Sequence, residues 1–169
     1  MRKNIAAFLL MASVGVWGIW CGGQYFNEAC VIPKWLSNPP ESVIAYNAIL
    51  TKESLPFFFP LNPLIFLVSL GATVTAWKYA RKSRKWLVLS ALIGFMISLV
   101  LIIYLAPLIS GISRDAGNLP AAEIIARADA WKFGNRIRLL VEFFGFICSI
   151  IALRVWSSES NTGKGGLSL

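Results

Sequence analysis

Two side chains late in the chain, Arg138 and Glu142, stand one helical turn apart in an otherwise apolar stretch. Helical steps back along the same face meet Asn135 and Trp131, and a step forward meets Ser149, so a helix here carries a single polar stripe. A guanidinium and a carboxylate held together away from water can divide a reaction between them. The cation holds an anionic or enolate oxygen, and the carboxylate accepts a proton with an affinity set by its burial. Asn62, Asn135 and Tyr104 would orient such a ligand, with Trp17, Trp20 and Trp131 as its aromatic surroundings. Other chemistries are excluded by residue type. The chain has no histidine, which removes the usual haem, zinc and copper ligand sets and every triad based on imidazole. Cys21, Cys30 and Cys148 form no CxxC pair, so no thiolate cage is indicated; neither a metal nor a cofactor is expected, and a Cys21–Cys30 bridge stays open.

The elements that position these groups are set by hydropathy. Of 169 residues, 57% are hydrophobic and 14% charged, against roughly 25% charged in an ordinary soluble domain. The mean hydropathy is +0.66. Uncharged runs cover residues 4–27, 54–77 and 86–113, each longer than the ~20 residues that cross a hydrocarbon core. A fourth run, 139–153, contains Glu142 and is bounded by Arg138 and Arg154, so it crosses only with its polar stripe turned inward. The fold class is therefore all-α, an integral membrane four-helix bundle with spans at about 5–26, 56–78, 86–110 and 136–156. Trp17 and Trp20 are poor neighbours for a cleavage site, so the first run reads as a retained anchor and not as a signal peptide.

The net charge of +8 is not the footprint of a nucleic-acid surface, because the cations fall in short clusters between apolar runs. Lys78, Arg81, Lys82, Arg84 and Lys85 crowd the link between spans two and three, and Arg2 and Lys3 precede span one. The positive-inside rule puts these clusters, and with them both termini, in the cytoplasm. Trp77, Tyr79, Trp86 and Trp156 fall at the same inner boundary. In the first external loop, Asn38-Pro-Pro-Glu41 opens a short surface helix over about 39–52. Asn118-Leu-Pro120 starts a helix that runs on to about Trp156, so span four begins outside the bilayer. The Ser- and Gly-rich residues 157–169 are expected to be a disordered cytoplasmic tail.

At about 1.5 Å per helical residue, Arg138 and Glu142 lie roughly 27 Å and 21 Å from Trp156. The same count puts Asn62 about 22 Å from Trp77, Tyr104 about 27 Å from Trp86, and Trp17 and Trp20 about 21–26 Å from Lys3. Four helices thus offer polar or amphipathic groups at one outer-leaflet level, where Pro60, Pro63 and Pro107 also free backbone carbonyls. The expectation is a pocket of ~300 Å³ or more opening outward between the helices. A plainer reading accounts for the same residues: a self-neutralising Arg138–Glu142 pair, with Asn62, Asn135 and Tyr104 tying helices together.

Leu61-Asn-Pro-Leu64, opening span two, and Ala130-Trp-Lys-Phe-Gly-Asn-Arg-Ile-Arg138, opening span four, resemble a four-helix membrane family that includes anthrone oxygenases and many bacterial members of unassigned function. The resemblance runs over about 22–153 and takes in Pro33 and Pro107; one departure is Leu108-Ile-Ser after Pro107, where the family often carries Asn. It implies oxidation of an acidic aromatic CH2 by O2 without an obvious metal or flavin, with Glu142 and Arg138 as catalytic residues, in a bacterial cytoplasmic membrane. The function expected is binding, and oxidation by O2, of a small lipophilic phenolic or quinone-like compound. The alternative is a noncatalytic accessory subunit of a larger membrane complex, with membrane-protein partners. A transporter ranks third, since neither an inverted repeat nor a broken helix pair is visible.

Overall fold

The computed structural model describes residues 2–49, 55–79 and 81–162. Among them the regular elements are helices: α1 (Arg2–Phe26), α2 (Ile32–Trp35), α3 (Glu41–Ile49), α4 (Leu55–Ala76), α5 (Arg84–Val100), α6 (Ala106–Asp115) and α7 (Ala121–Thr162). A π-helical turn, Asn27–Val31, joins α1 to α2, and another, Leu101–Leu105, joins α5 to α6. Four continuous helical segments, Lys3–Trp35, Phe58–Ala76, Arg84–Asp115 and Ala121–Glu159, are long and apolar enough to cross a membrane.

Each π turn ends two residues before a proline, at Pro33 and Pro107. In an unbroken α-helix a proline ring would press on the carbonyl four residues back, at Ala29 or Ile103, and would leave that carbonyl without its donor. Here the ladder widens just before it: the N–H of Ile32 reaches the carbonyl of Asn27, and that of Ala106 reaches Leu101. The helix therefore passes the proline without breaking.

The four long helices form a ring in which α1 packs on α4 and α7, and α5 packs on the same two. Apolar side chains fill it in three layers. Ala6, Leu10, Ala72, Ala76, Leu87 and Ala152 make the layer nearest both termini, called proximal here. Trp17, Trp20, Cys21, Ile65, Ile93 and Ile97 fill the middle. At the distal end α2, α3, the second π turn and α6 cap the bundle with Ile32, Trp35, Val43, Leu105 and Ile112 against Ile124, Ala128 and Trp131 of α7. Phe133, Ile137, Leu140, Phe144 and Ile147 of α7 are exposed, on the face its sequence pattern leaves apolar.

Two expectations change. Residues 157–162, expected to be disordered, continue α7. Ser157 and Ser158 turn their hydroxyls back onto the carbonyls of Leu153 and Val155, at 3.0 and 2.8 Å, and Glu159 accepts the backbone N–H of Lys82 at 3.1 Å. The rest of the expected tail, 163–169, lies outside the described residues. The surface helix expected over 39–52 starts at Glu41, because the Ser42 hydroxyl accepts the N–H of Asn38 and donates to the Trp35 carbonyl, closing a turn first. Its last residues, 50–52, also lie outside the described set.

A Cβ on Gly145 would fall 2.6 Å from Trp17 Cη2 and 2.9 Å from Ile93 Cγ2, so α7 meets α1 and α5 here at the closest distance glycine allows. Gly145→Ala should cost about 1–3 kcal/mol through overpacking against a rigid buried indole. In detergent this reads as a lowered Tm. Gly15→Ala, with nothing within 4 Å of the new methyl, should leave the Tm unchanged or slightly raised, and equal melting of the two variants would contradict the packing described.

Candidate functional site

The polar stripe of α7 turns into the ring as the cost of exposing an ionised group to lipid demands. Glu142 has no exposed surface, and Arg138 keeps only 7% of its own. Arg138 Nε lies 3.2 Å from Glu142 Oε1, one turn along the same helix. That approach is a charge contact without hydrogen-bond alignment, so Arg138 Nε and both carboxylate oxygens have no hydrogen-bond partner in the protein. The guanidinium instead spends Nη2 on Gln24 Oε1 at 2.8 Å and Asn135 Oδ1 at 2.9 Å. Asn135 Nδ2 donates to Glu28 Oε2 at 3.2 Å, and the other oxygen of Glu28 accepts from Arg136 Nε at 2.6 Å.

The result is one polar chain, Glu142 to Arg138 to Asn135 to Glu28 to Arg136, leading from the sealed interior to the distal surface. Its two cations and two anions cancel. Gln24 is the branch that binds it to α1, and Glu28 enters from the π turn beyond α1. Trp20, fully buried on α1, sets its indole N–H toward the Glu142 carboxylate without completing a hydrogen bond. A protonated ligand oxygen could donate to Glu142 while accepting from Trp20 or Arg138 Nε, which would satisfy these unpaired atoms at once.

Four of the residues singled out from the sequence, Trp20, Asn135, Arg138 and Glu142, meet in this cluster. Trp17 sits deeper and donates to Ser69 Oγ at 3.2 Å, where Ser13 also approaches at 3.1 Å, tying α1 to α4. Asn62 accepts from Ser98 at 2.7 Å and ties α4 to α5. Trp131 belongs to the distal cap, edge-on to Trp35 at 5.6 Å. Tyr104 lies in the π turn with 53% of its surface exposed, its ring edge over Gly134. The widened turn changes the rotation that a uniform helical count assigns to it, so it is placed on the outer surface and not beside Arg138.

Gln24 and Glu28 are the partners that sequence reasoning missed. Their spacing of four residues was the available signal, but the charge of Glu28 ended the apolar run and put it in a loop. The three cysteines are free, with Cys21 buried and Cys30 exposed, so the bridge left open by the sequence is not made. No group of three or more His, Cys, Asp or Glu among the described residues could hold a metal ion. Clefts of about 340, 380 and 570 Å³ lie at the ends of the bundle, lined by residues other than Asn62, Tyr104, Arg138 and Glu142.

An all-helical bundle with four membrane-length apolar helices and a neutral polar chain running from its interior to the distal surface defines the class of protein. Compared with known protein families, curated proteins and solved structures, the chain matches none of them.

Removing one partner of a buried ion pair strands the other. Arg138→Leu should therefore cost about 3–5 kcal/mol, whereas Arg138→Leu combined with Glu142→Leu should recover most of that loss. Unfolding in detergent compares the two. A double variant no more stable than the single one would move the cost from Glu142 to the abandoned acceptors of Gln24 and Asn135.

Proposed function

We propose that the chain is an integral membrane protein that binds a small, weakly acidic lipophilic molecule at Glu142. The observation that carries this reading is the state of that carboxylate: it is sealed from water, beside a guanidinium, with both oxygens lacking a hydrogen bond. A phenol or an activated aromatic CH2 supplies the proton such a group accepts, and Arg138 stabilises the anion left behind. If the resemblance to anthrone oxygenases extends to chemistry, the anion then reacts with O2, and a CH2 becomes a carbonyl with release of one water. Since Trp17, Trp20 and Glu142 are fully buried, a ligand reaches the carboxylate only when side chains that cover it move aside.

In this reading the proximal basic link and both termini face the cytoplasm, the polar chain lies in the outer leaflet, and the membrane is the bacterial cytoplasmic membrane. The second reading, a noncatalytic subunit of a membrane complex, draws on a different observation. The middle of the ring is filled by tryptophan and isoleucine, and the exposed stripe of α7 offers a partner five large apolar side chains.

Mass spectrometry of small molecules that co-purify in mild detergent separates the two. A recurring lipophilic compound lost from Glu142→Gln supports the first reading; stoichiometric protein partners and no such compound support the second. Once a substrate is known, Glu142→Gln should lower turnover by roughly 100-fold or more, the usual scale of a general base, and unchanged turnover removes that role. Orientation is tested by Cys30, the exposed thiol at the distal end. A membrane-impermeant maleimide should label it in intact cells; labelling only after lysis would invert the topology.

A further inference from the structure

The proximal end carries a cleft that the Glu142 site leaves unused. It is about 570 Å³ and lined by Arg81, Lys82, Arg84, Lys85, Trp86 and Val155. We propose that this cleft binds the phosphodiester headgroup of an anionic phospholipid.

The charge arrangement is costly without such an anion. Arg84 and Lys85 occupy the first turn of α5, where the helix dipole is positive, and no acidic residue stands in that turn. Arg81 and Lys82 approach the same cleft from the preceding turn, so four like charges meet at the pole that repels them. Among the described residues the Glu159 carboxylate reaches this rim, accepting the Lys82 backbone N–H at 3.1 Å. Part of the cluster is pinned in place. Arg84 Nε donates to the Trp77 carbonyl at 2.8 Å with its guanidinium 4.9 Å from the Trp77 ring centre, and Lys85 Nζ stands 5.2 Å over Trp86. Arg81 and Lys82 remain exposed at the mouth.

The position favours a lipid over a free phosphate ester. The cleft opens where the apolar helices end, at the level of Trp77, which is 45% exposed, and Trp86, the depth of a headgroup layer. Trp86 and Val155 give it an apolar wall along which the first methylenes of an acyl chain can lie, while the cations address the phosphate.

The test uses the full chain, delipidated in detergent and offered equal amounts of phosphatidylglycerol and phosphatidylcholine, with bound lipid read by native mass spectrometry. The wild-type protein should retain phosphatidylglycerol roughly tenfold more than phosphatidylcholine, a preference that falls with salt. Lys82→Gln with Lys85→Gln should abolish the preference, and Lys82→Arg with Lys85→Arg should restore it. Lys78, Arg81 and Arg84 stay to direct insertion of both variants. Equal retention of the two lipids by the wild type, or an undiminished preference in the glutamine variant, overturns the proposal. Displacement of the lipid by glycerol 3-phosphate would also overturn it in favour of a soluble phosphate ester. If the glutamine variant fails to fold, the wild-type Tm decides: it should rise with phosphatidylglycerol and not with phosphatidylcholine.

Discussion

Arg138 has five N–H donors on a side chain that is almost wholly buried, so the distal half of the bundle is arranged around supplying acceptors. One carboxylate on its own helix balances the charge without using the donors well. The hydrogen bonds go to Gln24 and Asn135, and through Asn135 to Glu28. A guanidinium on the last helix is thereby fastened to the first, and the ring of four is closed by polar contacts at the level where Trp20 fills its centre. In lipid, apolar packing offers little preference for one neighbour over another, and directed hydrogen bonds of this kind select the partner.

The π turns are the second constraint. Pro33 and Pro107 each force a local change of pitch, and that change decides where the next side chains point. One turn brings Glu28 onto the polar chain, and the other carries Tyr104 out to the surface. Tyr104, read from a uniform helical count, thus ends in a position that the count does not give, and Glu28, read as part of a loop, is carried by helical backbone onto the polar chain.

This explains which features were legible in the sequence. Hydropathy marked four long helices because hydrocarbon length dictates about 20 apolar residues, whatever the packing. The stripe of Asn135, Arg138 and Glu142 was legible because α7 is regular from Ala121 onward, and so was the apolar face opposite it. Glu28 was not assigned because the first span was ended at its charge, although a charge at a helix end beyond the bilayer costs little, and Gln24, inside that span, lost its signal once its neighbour one turn on was left out. Asn62 shares the expected depth of Glu142, but depth alone does not fix azimuth, and its partner proved to be Ser98 across the α4–α5 contact. The serines after Trp156 look like a stop in a list of residues. In the helix they bond back to it and prolong it.

The fastening between first and last helices also has a direction in time. Gln24 precedes Arg138 by 114 residues, so its acceptor is made and placed long before the donor leaves the ribosome. Until α7 arrives, α1 holds Gln24 and Glu28 near the distal surface where water serves them. The arriving arginine and glutamate travel as a pair on one turn of helix, already neutral between themselves. Biosynthesis therefore never has to carry a lone charge to the middle of the bundle; the last segment brings its own counterion and exchanges water for ready-made partners as it docks.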